Sequence, residues 1–326
     1  MILHIGFIPS IDMEKPMWHR KHLLGLQDLS ANELNAILDA AESYKAASLD
    51  ESLRCGRLNG RRVVLAFFEN STRTRLSFEF AAARLGAAVT ALSMDSTSVK
   101  KGESLADTIA NINAMGVDFL VVRHASSGAA VIASKETSAC VINAGDGTHE
   151  HPTQGLLDLF TIRRHKGRIE GLRVGIVGDI LHSRVARSNL FALVTLGAKA
   201  VLIGPPTLVP DSLRKFGAEI AHDFDDAIHQ CDVLNILRIQ QERLDGQFFP
   251  SVREYCELYR LDAPRMRRAR PDVLVMHPGP MNRGIEIAAD VADGPNSVIL
   301  EQVSNGVAVR MAVLDLLDAA AKAKES

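Results

Sequence analysis

No C-x-x-C pair occurs in this sequence, whose four cysteines, Cys55, Cys140, Cys231 and Cys256, are scattered along 326 residues. That spacing supports neither a disulfide framework nor a zinc knuckle, and reduced, apolar side chains are the expectation. Net charge is nearly absent too. At −2, it gives no general attraction to nucleic acid or to a membrane surface, so any anion binding must be local. No window supplies the roughly 20 consecutive apolar residues of a membrane span. The opening MILHIGFIPSIDMEKPMW has no basic stretch before its apolar residues, so a cytoplasmic protein is expected. Low-complexity tracts are missing, and so is any repeat with the period of about 20 to 50 residues that marks a solenoid.

What is present centres on RVVLAFFENSTRTRLSFEFAAARLG, Arg62 to Gly86. Val63 to Phe68 is an apolar run of strand length, suited to a strand covered on both faces. Ser71 then stands as a helix N-cap, and Leu76, Phe78, Ala82 and Leu85 can supply an apolar helix face. The joint reads S-T-R-T-R. Helix N-termini offer unpaired N–H groups and a positive dipole end, which hydroxyls and guanidinium groups extend into a site for a phosphate or carboxylate. Positive side chains at a helix start oppose the dipole, so Arg73 and Arg75 suit an anion better than a solvated basic turn.

Earlier in the chain, Met1 to Trp18 has two prolines and no clear period, and reads as an extended arm without chemistry. Ser30 with Glu33 forms a capping box before Leu34, Ile37, Leu38 and Ala41. After Gly86 the run AAVTALSM is a second strand, ending in the polar loop Asp95 to Ser104. Its hydroxyls and its Lys100 and Lys101 suit either a mobile cover over an anionic site or a solvated surface loop. A helix over Leu105 to Met115 leads to the strand DFLVVRH, with Arg123 near its end, where open α/β sheets gather ligand-binding groups. The strand Ala139 to Gly145 precedes D-G-T-H-E-H-P-T-Q, in which Pro152 can open a helix and set His151 and Gln154 at its mouth. His149 and His151 have no further ligand cluster, which favours a polarising histidine over a metal pair.

From Gly171 strands and helices alternate again through LRVGIVGD, RVARSNLFALVTLG, KAVLIGP, a helix through Leu213, and DVLNILRI. The pattern implies a second doubly wound parallel sheet, and the length suits two domains. The G-I-V-G-D turn lacks the G-x-G-x-x-G run of a dinucleotide site, so no nicotinamide cofactor is expected. Arg184 and Arg238 close the strand ends, with Gln240 just beyond. Two guanidinium forks there suit a dicarboxylate ligand or pairing with surface carboxylates. The strand DVLVMHPGP runs into a stiff turn whose carbonyls can receive ligand N–H groups, and the segment from Val303 to Ala321 has helical spacing.

F-x-x-x-S-T-R-T-R-x-S-F-E, K-K-G-E-S, V-R-H, D-G-T-H-E-H-P-T-Q, G-D-I-L-H-S-R-V-A-R-S, L-R-I-Q-x-E-R and H-P-G-P-M-N-R-G occur in this order. Together they closely resemble the carbamoyltransferase family that acts on aspartate or ornithine, over about residues 20 to 320. The resemblance implies two doubly wound α/β domains with the active site in the cleft between them. Residues 1–18 would be an arm, 19–152 with 305–326 the carbamoyl phosphate domain, and 153–304 the acceptor domain, hinged on helices that begin near Thr153 and Ser304.

The same resemblance assigns roles. Ser71, Thr72, Arg73 and Thr74 would hold the phosphate, with Arg123 adding charge and Arg73 stabilising the phosphate as it leaves. His151 and Thr74 would polarise the carbamoyl oxygen, and Gln154 with the carbonyls of Gly279 and Pro280 would receive the carbamoyl amide. Arg184, Arg238 and Gln240 would grip aspartate. Lys101 and a hydroxyl, Ser98 or else Thr97 or Ser96, would arrive from the neighbouring subunit of a homotrimer. A larger assembly with regulatory chains or dihydroorotase is known among such relatives, and no metal or organic cofactor is implied. Relatives acting on ornithine carry H-C-L-P where this chain has His277-Pro278-Gly279-Pro280, and they carry a Ser-Met-Gly loop that does not appear here. An acidic acceptor is therefore expected.

Overall fold

The structure, a computed structural model, describes residues 18–49, 55–92, 103–239 and 251–325. The chain forms two compact units, one of residues up to Leu156 together with those from Ser304 onward, the other Leu157–Val303.

In the first unit, helix α1 (Ala31–Tyr44) opens on the capping box that its sequence encodes: the Ser30 hydroxyl accepts the Glu33 N–H, and the Glu33 carboxylate accepts the Ser30 N–H. Strand β1 (Arg62–Phe67), helix α2 (Thr72–Arg84), strand β2 (Ala88–Leu92), helix α3 (Leu105–Ala114), strand β3 (Phe119–His124), helix α4 (Ala129–Lys135) and strand β4 (Cys140–Asp146) follow. All the pairs are parallel, in the order β2-β1-β3-β4. The inner strands are the apolar ones. Leu65, Leu120 and Val121 are fully buried, whereas the edge strand β2 keeps Ala88, Thr90 and Ala91 exposed. Phe78 and Ala82 of α2 and Leu85 at its C-cap are buried as expected, but Leu76 is 38% exposed and does not belong to that buried face.

Helix α5 (Pro152–Lys166) begins in the first unit. The second unit contains strand β5 (Arg173–Val177), helix α6 (Arg184–Thr195) and strands β6 (Lys199–Ile203), β7 (Glu219–Ala221), β8 (Val233–Ile236) and β9 (Leu274–Met276). Its parallel order is β7-β6-β5-β8-β9. The segment through Leu213 is a six-residue 3₁₀ helix, Asp211–Phe216, rather than an α-helix. Its short stretch between Pro210 and the left-handed Gly217 leaves no room for a longer one. The helix Ile299–Glu325 ends the described chain.

Both sheets reverse their winding direction once. In the first the chain passes from β1 outward to β2 and returns to β3 on the other side; in the second it leaves β5 through β6 and β7 and returns to β8. Ligands of open α/β sheets bind where the strand order reverses, outside the carboxyl ends of the strands. The β1/β3 and β5/β8 edges are therefore the two places to look.

Candidate active site

At the β1/β3 edge, Ser71 is the N-cap of α2, extended at φ −159° and ψ 93°, and its carbonyl accepts the Arg75 N–H at 3.2 Å. Its hydroxyl makes no capping bond. Four other helices among the described residues open on serine, at Ser30, Ser104, Ser183 and Ser251, and each of those hydroxyls accepts an N–H of the first turn. The α2 start also has no acidic residue in its first turn, though acidic residues favour that position. It carries Arg73 and Arg75 instead. Thr74 is buried, while Thr72 and Arg73 are exposed. The result is a helix mouth with hydroxyl, guanidinium and backbone N–H groups together.

Arg123 stands beside this mouth. It pairs in register with Phe67, the last residue of β1. Its Nη1 donates to the Ala144 carbonyl at 3.0 Å, and its Nε lies 3.3 Å from Glu69 Oε2. Sequence reading did not single out Glu69, although its place in the β1–α2 turn, two residues before Ser71, made it accessible to that reasoning.

His151 caps α5 through its backbone: its carbonyl accepts Gln154 N–H at 2.9 Å and Gly155 N–H at 3.1 Å, with Pro152 as the first helical residue. The His151 and Gln154 side chains are buried. His149 points elsewhere, donating from Nδ1 to the buried carboxylate of Asp146 at 3.2 Å. Burial pushes the Asp146 carboxyl up, but hydrogen bonds from His149, Asn143 and Gly128 outweigh it and hold the group below its ordinary range. Among the described residues no three His, Cys, Asp or Glu side chains gather into a group that could hold a metal ion.

At the β5/β8 edge, Arg184 is the first residue of α6, and Arg238 follows β8, whose ladder continues as Leu237 N–H donates to Val177 O at 2.8 Å. Gly178 is required between them. Its φ is +123°, and a Cβ there would lie 3.2 Å from the Leu237 carbonyl. The turn before Arg184 is braced by Asp179, fully buried, which accepts both the N–H and the Nδ1–H of His182.

The turn after β9 is tied down from below. His277 donates its N–H to Gln302 Oε1 at 3.0 Å, and Gln302 Nε2 donates to Asp158 Oδ1 at 2.6 Å. Asn189 and Asn235 donate to the other oxygen of the same buried carboxylate. Asn282 Nδ2 reaches the Ile239 carbonyl at 3.0 Å, next to Arg238. Gly279 and Pro280 are joined by a cis peptide in this turn. Asp158, Gln302 and Glu286 were not found from sequence. The partners of Asp158 and Gln302 lie far along the chain, and no local spacing marks them, whereas Glu286 meets the Asn282 N–H and the His277 imidazole only four and nine residues away. Lys101, Ser96, Thr97, Ser98 and Gln240 lie outside the described residues.

Fold and site define the class: a doubly wound α/β protein with guanidinium groups beyond the strand ends where both sheets reverse their winding. Residues 21–164 match the family model described as the carbamoyl phosphate-binding domain of aspartate/ornithine carbamoyltransferase, and residues 170–317 match that of the aspartate/ornithine-binding domain. The chain is 54% identical to the aspartate carbamoyltransferase catalytic subunit of Granulibacter bethesdensis, over 91% of this chain and 95% of that protein. The catalytic subunit of Beijerinckia indica is also 54% identical, over 93% and 96%. Aspartate transcarbamoylase of Trypanosoma cruzi in complex with carbamoyl phosphate superposes with a TM-score of 0.83 at 31% identity, over 90% of this chain and 94% of that one. Ornithine carbamoyltransferase of Pyrococcus furiosus does so with a TM-score of 0.82 at 31% identity, over 92% and 97%. The chain belongs to the aspartate/ornithine carbamoyltransferase family.

Proposed function

We propose that this chain transfers the carbamoyl group of carbamoyl phosphate to the α-amine of L-aspartate, giving N-carbamoyl-L-aspartate and phosphate in pyrimidine biosynthesis. The α2 N-terminus carries the reading: its cap hydroxyl is withheld from the helix, and arginines stand where acidic residues normally would. Ser71, Thr72, Arg73 and Thr74 bind the phosphate there, and Arg123 adds positive charge. Arg73 stabilises the phosphate as it departs.

Attack of the amine on the carbamoyl carbon builds an oxyanion before phosphate leaves, so the reaction calls for fixed positive donors rather than a covalent nucleophile. His151 and Thr74 polarise the carbamoyl oxygen, and Gln154 with the carbonyls of Gly279 and Pro280 receives the carbamoyl amide. Arg184, Arg238 and Gln240 hold aspartate by its carboxylates. Two arginines, Arg184 at the start of α6 beyond β5 and Arg238 just beyond the neighbouring β8, favour this acidic acceptor over ornithine, as do the two aspartate carbamoyltransferase relatives at 54% identity. Holding two reactants together contributes about 7–11 kcal/mol to such a reaction.

The protein works in the cytoplasm as a homotrimer to which each neighbouring subunit lends Lys101 and Ser98. Residues 19–152 with 305–326 act as the carbamoyl phosphate domain and 153–304 as the aspartate domain. Neither a metal nor an organic cofactor takes part. Such a trimer acts alone or in a larger assembly with regulatory chains or dihydroorotase. The test is carbamoyl transfer by the purified chain with aspartate and ornithine as rival acceptors. Carbamoyl aspartate as the product supports the reading; citrulline, or no product at all, overturns it.

A further inference from the structure

Residues 22–27 carry no reaction chemistry, yet they are bound to the loop before His151 at several points. The Leu23 N–H donates to Val141 O and the Asn143 N–H to Leu23 O, both at 2.9 Å, so the segment runs parallel to β4. Asn143 Nδ2 also donates to Leu24 O at 2.9 Å. The chain then meets Glu150. This side chain is 1% exposed, and its carboxylate accepts the Leu26 N–H at 2.8 Å and the Gln27 N–H at 3.3 Å. Gly25 lies so close that a Cβ there would stand 2.4 Å from Glu150 Oε1. The Glu150 backbone is held as well: its N–H donates to Asp146 Oδ1 at 3.2 Å, and its carbonyl receives the Asp146 N–H at 3.1 Å.

Burying a carboxylate costs free energy that hydrogen bonds must offset. Two successive backbone N–H groups form an anion cradle that does so in one direction only. An apolar residue would fill the same space without fixing a direction. The residue immediately before His151 is thus held by backbone on one side and by residues 25–27 on the other, while the His151 carbonyl starts α5. We propose that Glu150 is a positioning residue for His151: its clasp on residues 25–27 sets where the imidazole stands against the carbamoyl oxygen. The inference rests on the role given to His151 above.

Two substitutions disturb the clasp from opposite sides. Glu150→Gln keeps the size but turns an amide donor toward N–H donors, and Gly25→Ala keeps the carboxylate but pushes a methyl group into it. Each lowers kcat at least tenfold while KM for carbamoyl phosphate stays within threefold. In a His151→Ala background, Glu150→Gln lowers kcat less than twofold further, because the group it positions is already gone. A full tenfold further loss, as a general structural role would give, overturns the proposal. The nitrogen-15 ring resonances of His151 read the clasp without turnover, and both substitutions shift them; unshifted resonances overturn the proposal. A wild-type chain that makes no carbamoyl aspartate, with resonances that do shift, counts against the reaction and not against the clasp. If Glu150→Gln fails to fold, Gly25→Ala and Glu150→Asp give the same readouts.

Discussion

His277 and Glu286 form a buried pair, with Nε2 of the imidazole 3.2 Å from Oε1 of the carboxylate. Because His277 Nδ1 accepts the Gly279 N–H at 2.8 Å, the ring proton must sit on Nε2 and point at Glu286. One carboxylate therefore sets the tautomer of the histidine that shapes the Gly279-Pro280 turn. Glu286→Ala is expected to cost about 1.5–3 kcal/mol, the worth of a hydrogen bond to a charged group. Thermal unfolding should fall by roughly 5 °C, and the carbamoyl phosphate concentration for half-maximal rate should rise. Unchanged stability would mean the pair does not hold the turn.

Arg73→Ala should reduce carbamoyl transfer by on the order of 10²-fold or more, the usual loss when a fixed donor to developing charge is removed. Circular dichroism and melting should stay close to the parent, since Arg73 is exposed. Near-normal turnover would remove phosphate stabilisation from the mechanism.

Arg238→Ala should act chiefly on the acceptor, raising KM for aspartate at least tenfold while the carbamoyl phosphate dependence changes little. Loss of a bidentate carboxylate contact has a cost of that order. An unchanged aspartate dependence would reassign the β5/β8 edge.

If the chain forms the proposed trimer with shared sites, mixing Lys101→Ala with Arg73→Ala protein should restore some activity, because some sites of hybrid trimers would be intact. Subunit exchange, followed by mass spectrometry, makes the result decisive: exchange without rescue would place Lys101 in its own subunit's site or in none.

The imidazole of His22 accepts the Val141 N–H on Nδ1 at 3.0 Å and so must be neutral. Burial first, then Lys21 and Lys324, lower its pKa from 6.5 to about 4. The unfolded chain therefore binds a proton near pH 6.5 that the folded one refuses until about pH 4. Stability from this site is complete above pH 6.5 and is lost as pH falls from there toward 4. Urea denaturation across that window should show a smaller fall for His22→Asn, whose side-chain oxygen keeps an acceptor without titrating.

The sequence made the strands legible because inner parallel strands are largely apolar runs of strand length, as Phe119–Val122 in β3 and Val174–Val177 in β5. It made the S-T-R-T mouth, His151, Arg184 and Arg238 legible because each sits at a strand end or helix start. Three-residue β7 and seven-residue α4 escaped, being too short for periodicity to speak. Leu76 was assigned to the buried face of α2 by residue type, yet it lies on the outside. The supports, Glu69 for Arg123, Asp158 and Gln302 for His277, and residues 25–27 for Glu150, depend on contacts between distant positions. Only the folded chain brings those together.

Leaving the Ser71 hydroxyl out of the helix has a consequence for how this protein can evolve or be engineered. Aspartate at position 71 would cap α2 and complement its dipole, a gain of about 1 kcal/mol or less. On the proposed role of this mouth, it would also repel the phosphate. Selection for thermal tolerance alone would drift toward such a substitution and silence the enzyme, so a stability screen on this chain needs an activity filter at that one position above all.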